Sequence, residues 1–223
     1  MDNLSKRDKE KLVHEKEILT AAEKIFCRKG YEASSMDEIA KEAQLTKRTV
    51  YQYFENKDDL YFAIVLKGFN KLFSKVTEAN KEEQTGYEML ESACRSYYQF
   101  YRDNPDFVRL MNYWGHVRRK STDAGKNKNE LVQFNNKMIF EFKEIIEKGK
   151  GDGSIQYDLD SEKTALCLIF LITGFFNQLS ATGDNFTEFF SLDQEDFSIN
   201  TMDLVIKPLK RGKTMIATRK GTV

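Results

Sequence analysis

Residues 46–57 read TKRTVYQYFENK, and their side chains suit contact with an anion. Lys47 and Arg48 supply charge, while Thr46, Thr49, Tyr51, Gln52 and Tyr53 supply hydroxyls and an amide. No Asp or Glu occurs from Ala43 to Phe54, although charged residues make up 31% of the chain. Such a helix face can meet phosphates with its charge and base edges with its hydrogen bonds, arginine pairing bidentately with guanine. The composition also fits an ordinary exposed helix whose acids lie elsewhere, so the stretch alone leaves both readings open.

Other chemistries lack parts. His14 and His116 are the only histidines, and neither sits in a metal-ligand cluster. No glycine-rich phosphate loop and no nucleophile elbow occurs, so no catalytic residue, metal or cofactor is expected and the chain is not expected to be an enzyme. Cys27, Cys94 and Cys167 lie far apart within apolar helical patterns. That fits a reducing compartment better than a disulfide framework and leaves a redox switch as the alternative. Lys plus Arg and Asp plus Glu both total 35, so any nucleic-acid site must be a local patch. The opening MDNLSKRDKEKLVHEKE lacks the apolar core of a signal peptide, and the apolar run at 165–176 is shorter than a membrane span. A soluble, cytoplasmic chain with no membrane partner is the expectation.

Helices must position these residues, since prolines number two, glycine is sparse and strand-like alternation is scarce. Ile18, Leu19, Ala22, Ile25 and Phe26 share one face of a first helix that stops at Gly30. Ser35, with Glu38 three residues on, forms a capping box for a second helix striped by Met36, Ile39, Ala40 and Ala43. Thr46 caps a third, anchored inward by Val50 and Phe54. Two short helices after a longer one, joined by a tight turn, form a helix-turn-helix, whose last helix enters the major groove. A long helix follows from Lys57 to about Asn80, roughly 35 Å at 1.5 Å per residue. Later helices are predicted around Leu90–Tyr101, from Asn104-Pro105, through Leu131–Ile145, over 161–182 and from Asp193 until Pro208. VRRKSTDAGKNKN at 117–129 reads as a solvated loop, and 149–160 as a break ended by the cap Asp160. The tail over 212–223 reads as flexible. The expected fold is all-α: a three-helix unit over 1–56, then a larger helical ligand-binding and dimerisation domain over 57–223.

The segment ILTAAEKIFCRKGYEASSMDEIAKEAQLTKRTVYQYFENKDDLYFAIV, 18–65, resembles the TetR family of transcriptional repressors. It repeats in order the family's helix ending in F…GY, the S-x-x-x-I-A cap, the short turn and the Y-x-Y-F-x-N-K close. The rest of the chain is similar only in helix count and in its G-S-I…D-L-D break. The resemblance implies that Lys47, Arg48, Thr49 and Tyr51 face base edges, with Thr46 and Gln52 beside them. It further implies that Tyr53 and Lys57 hold phosphates, and that Ser35, Lys11 and His14 hold flanking backbone. Two departures stand out. Gln44 occupies a turn position where the family has glycine, so it must adopt a left-handed backbone or alter the turn. Arg48 replaces a small residue and adds reach toward guanine.

A double-stranded DNA operator with inverted-repeat symmetry, a homodimer and an unknown small-molecule effector are the expected partners. Tyr97, Tyr101, Phe107, Tyr113, Trp114 and Phe170 are candidate pocket residues for a small apolar or aromatic effector, since no acid sits among the aromatics before Asp103. Residues 161–182 are apolar on nearly every side, so Phe175, Phe176, Leu179, Met202 and Val205 are candidates for the dimer face. The rival reading is an all-helical ligand-binding or protein-interaction module with little DNA affinity.

Overall fold

The computed structural model describes residues 5–121, 125–182 and 184–212. Helix α1 (Lys6–Lys29) opens at Ser5, whose hydroxyl accepts from the Asp8 N–H, and closes at Gly30 with φ 80°. Its inner stripe, Ile18 to Phe26, is buried, while residues 5–13 are exposed throughout. Helices α2 (Met36–Glu42) and α3 (Lys47–Tyr51) complete the N-terminal helix-turn-helix unit. Helix α4 (Lys57–Ala79) leaves that unit with Asn56 as its cap, the Asn56 Oδ1 accepting from the Asp59 N–H at 2.8 Å.

The C-terminal part is helical as well. It contains α5 (Gly86–Asp103), α6 (Pro105–Asn112), α7 (Trp114–Lys120), α8 (Lys126–Gly151), α9 (Ser161–Thr182), α10 (Asp184–Phe189) and α11 (Gln194–Ile206). A 3-10 turn, Lys207–Leu209, follows where Pro208 prevents α11 from continuing. Among the described residues the nearest approach to a strand is one bridge, Ile155 with Lys210. Helices α4, α5, α8 and α9 form the main bundle, α11 lies against α5 and α9, and α6 fills the space between α1, α4 and α9. Two crossings require glycine. A Cβ on Gly68 of α4 would lie 2.3 Å from a Phe107 ring carbon, and one on Gly86 of α5 would lie 2.2 Å from the Gly149 nitrogen of α8.

Several expectations change. The stretch 117–129 is helical at both ends, in α7 and α8, with 122–124 outside the described residues. Helix α8 runs through Gly149 to Gly151 before turning, and a Cβ on Gly149 would lie 2.4 Å from an Ile155 side-chain carbon. Lys210 and Arg211 dock on the 154–156 turn, the Arg211 N–H donating to the Ser154 carbonyl at 3.0 Å. Of the flexible tail, 213–223 lie outside the described residues. At 22 residues and mean hydropathy 1.6, α9 is long and apolar enough to cross a membrane by those measures alone. Here its inner stripe, Ala165, Leu168, Ile172, Phe176 and Leu179, is buried in the bundle.

Candidate nucleic-acid interface

The recognition unit rests on two caps and one strained turn. At α2, the Ser35 hydroxyl accepts from the Glu38 N–H at 3.3 Å, and the Glu38 carboxylate accepts from the Ser35 N–H at 3.1 Å. The Lys29 ammonium, then the Ser35 donors, hold the Glu38 carboxyl below its ordinary pKa. At α3, the Thr46 hydroxyl accepts from the Thr49 N–H at 3.1 Å and lies 2.8 Å from the Thr49 hydroxyl. Between the helices Gln44 sits at φ 57°, the left-handed conformation that its departure from glycine required. The family turn is kept, and the strain is carried by Gln44 itself.

Val50 is fully buried and Phe54 is 3% exposed, so α3 is pinned by its inner face. Thr46, Lys47, Arg48, Tyr51 and Gln52 are exposed together, with Thr49 and Tyr53 half-buried beside them. The Tyr53 hydroxyl lies 3.4 Å from His14 Nδ1, which brings α1 to the end of α3. Arg48 has no ion-pair partner among the described residues. Lys47 has one: its Nζ lies 2.7 Å from an Asp37 oxygen, and that hydrogen bond raises the lysine pKa. Asp37 escaped the sequence reading because the acid-free window begins at Ala43, whereas the fold lays the first turn of α2 beside α3.

Lys57 requires a correction. Its ammonium donates to the carbonyls of Tyr31 at 2.9 Å, Ser34 at 3.0 Å and Glu32 at 3.4 Å, and lies 4.3 Å from the Tyr31 ring centroid. An ammonium has three donors, and these carbonyls occupy them all. In this structure Lys57 therefore fastens the α1–α2 connection to α4 rather than facing outward for a phosphate. The Tyr31 hydroxyl, which donates to Asp58, fastens the same segment.

Two further ties join this unit to the C-terminal helices, and neither was visible in the sequence. Asp59, 7% exposed, accepts from Asn127 Nδ2 of α8 at 2.6 Å and from the Glu55 N–H at 3.2 Å. Glu32 Oε1 accepts from the Tyr113 hydroxyl at 3.3 Å and lies 3.6 Å from Lys120 Nζ.

The expected pocket residues scatter. Tyr97 lines a cavity of about 70 Å³ between α4, α5, α8 and α9, and burial pushes its pKa up to about 12. Trp114 and Phe170 line an outer groove of about 450 Å³. Tyr113 faces the crevice between α1 and α6 instead, because its hydroxyl is drawn to Glu32. Phe107 fills the notch at Gly68, and Tyr101 packs on Phe176 with centroids 4.8 Å apart, so both belong to the core.

The expected dimer residues also need correction. Phe176, Leu179 and Met202 are each under 5% exposed inside one subunit, which leaves a second chain nothing to touch. Phe175 and Val205 are half-buried. The exposed stripe of α9 runs instead through Cys167, Leu171, Gly174, Gln178 and Ala181, with alternating spacings of four and three. Of the cysteines, burial pushes Cys27 up to about 11 and Cys94 up to about 12, which disfavours the thiolate of each.

Comparison with known proteins gives a consistent picture. Residues 18–64 match the model of bacterial regulatory proteins of the tetR family, and 87–196 match that of the tetracyclin repressor-like C-terminal domain. The chain is 32% identical over 95 residues to the HTH-type transcriptional activator FasR of Mycolicibacterium smegmatis. That match covers 43% of this chain and 43% of the relative, so the chain spans less than half of that protein's length. A bacterial regulatory protein in the tetR family from Rhodococcus RHA1 shares the fold at TM-score 0.70 and 22% identity, over 90% of this chain and 98% of that one. The transcriptional regulator FadR from Bacillus subtilis, in complex with stearoyl-CoA, does so at TM-score 0.67 and 17% identity, over 86% and 98%.

Proposed function

We propose, because the chain belongs to the TetR family of bacterial transcriptional regulators, that its helix-turn-helix binds an inverted-repeat operator as a homodimer and represses transcription until a small, largely apolar effector releases it. The observation that carries the DNA reading is the exposed opening turn of α3, Thr46-Lys47-Arg48, held rigid by buried Val50 and Phe54. In this reading Arg48 reads a base, Lys47 exchanges Asp37 for a phosphate, and Tyr53 with His14 steadies the flanking backbone. Residues 1–56 form the DNA-binding part and 57–223 the effector and dimer part, and the protein works in the cytoplasm.

The open stripe of α9 supports the dimer. Cys167, Leu171, Gly174, Gln178 and Ala181 repeat with the period of a helix seam, and Gly174 lets a partner helix approach closely. Leu204 of α11, 69% exposed, extends the apolar surface. A two-fold pair presents two identical recognition helices, hence an inverted repeat.

The effector reading is supported by the apolar cavity, and by FadR of Bacillus subtilis holding stearoyl-CoA on the same fold. Helices α4 and α8 both line the cavity; α4 grips the recognition unit at its first turn through Lys57 and Asp58, and Asn127 of α8 bonds Asp59 in that same turn of α4. A ligand that parts them would shift one recognition helix relative to its partner. Coupling of this kind is typically about 1–3 kcal/mol and reciprocal. The test of the DNA reading is anisotropy on random duplex DNA over a range of salt, where a steep log–log loss of affinity is expected and a flat response would refute it.

A further inference from the structure

The cavity and the groove adjoin, sharing Phe69, Asn135, Ile169 and Thr173 as walls. The inner walls carry no charged side chain, and the outer groove carries a single one among the described residues, Arg118 of α7. Its guanidinium lies 5.5 Å from the Trp114 ring centroid and has no ion-pair partner among the described residues. Among the described residues no carboxylate lines either part, and the neighbouring Asn112, Asn135 and Asn177 are neutral amides.

We propose that this space takes an anionic amphiphile with a single alkyl chain, its head group at Arg118 and its chain running past Phe69 into the inner cavity. The proposal rests on the effector reading above and names the chemical class of that effector. Each part of the class follows from a feature of the site. A guanidinium with no ion-pair partner among the described residues, at the rim of an apolar space, favours an anion, because a charge-assisted hydrogen bond there outcompetes one to a neutral group. The described walls offer a cationic head no carboxylate. The inner cavity of about 70 Å³, with no charged side chain in its walls, suits an alkyl chain. The stacked Phe69–Phe134 pair, 5.9 Å between centroids, joins α4 to α8 at the shared wall, so the chain enters beside the contact that couples the two helices.

The protein carries its own reporter, since Trp114 is its single tryptophan and lines the groove. The full-length chain, without DNA, is titrated with laurate, lauroyl-CoA, 1-dodecanol and dodecyltrimethylammonium, each below its micelle concentration, while Trp114 emission is followed. Saturable binding of laurate or lauroyl-CoA, tighter than of the alcohol or the ammonium, is expected. The tighter of the two anions identifies the source of the head group. Arg118→Gln should weaken the anions roughly tenfold and leave the alcohol unchanged, and Arg118→Lys should restore most of the loss. Arg118 is exposed, so these variants fold, which far-ultraviolet dichroism checks. Absence of saturable anion binding, equal affinity for the alcohol, or no effect of Arg118→Gln overturns the proposal. Random-duplex binding is measured in parallel. Anion binding without DNA binding retires the regulator reading and keeps the ligand class, and the reverse result does the opposite.

Discussion

Replacing Lys57 with methionine removes the ammonium while keeping an unbranched apolar stem. The loss can be estimated from its contacts: carbonyls of Tyr31 and Ser34 at 2.9 and 3.0 Å, a longer one to Glu32 at 3.4 Å, and the Tyr31 ring at 4.3 Å. A hydrogen bond to a charged group contributes about 1.5–3 kcal/mol, and an exposed cation–π contact about 0.5–1 kcal/mol. Lys57 is half-buried, so water replaces part of what is lost. A net destabilisation of about 2–3 kcal/mol follows, nearer the value of one such bond than the sum of three. Urea unfolding should show it as a lower midpoint at unchanged slope. Fluorescence anisotropy on random DNA, at a temperature where both proteins are folded, should give the same salt slope for each. A lysine that holds a phosphate behaves oppositely: stability stays fixed and the log–log slope falls by about 0.9. That pair of results would refute the clasp.

Gln44→Gly should stabilise the protein by roughly 1 kcal/mol, since it relieves a left-handed non-glycine residue at φ 57°, and chemical denaturation reads the gain. Leu171→Glu should yield monomers in light scattering at unchanged helicity, whereas Phe176→Ala should leave a dimer while lowering stability by about 3–5 kcal/mol, as for a buried phenylalanine. Acid should destabilise the chain: the Thr85 N–H holds Glu88 below its ordinary pKa, and the Lys163 N–H does the same for Asp160. Depressed carboxyls contribute stability above their unfolded pKa values, near 4, and lose it as pH falls through the folded ones, so Glu88→Gln and Asp160→Asn should flatten the acid limb of a pH–stability curve.

Local signals proved legible and long-range ones did not. Ser35, Thr46 and Asp160 each cap the helix that follows, because capping is decided within three or four residues and is written in adjacent letters. At Gln44 the family resemblance left two outcomes open, a left-handed backbone or an altered turn, and the backbone is left-handed at φ 57°. Asp37, ten positions before the Lys47 it pairs with, was not legible, because an acid-free window says nothing about what folding lays beside it. Lys57 looked like an exposed cation and proved to hold three carbonyls contributed by the α1–α2 connection. The apolar helix over 161–182 was located correctly, but composition could not say which of its faces the bundle covers. The stripe through Phe176 went inward, and the one through Leu171 stayed open. Short α7 went unseen although α2 and α3 are no longer than it, since it lacks the side-chain cap that announces each of those two.

The most direct test of base reading by a paired α3 is selection of bound sequences from a fully randomised duplex library, run side by side with wild type and Arg48→Ala. Wild type is expected to enrich an inverted repeat whose half-site centres lie about 34–36 Å apart, or a multiple of that spacing. Arg48→Ala should keep the repeat and lose preference at one base pair in each half, at a discrimination of about 1–3 kcal/mol. A wild-type pool without two-fold symmetry, or pools identical at every position for the two proteins, would contradict the assignment.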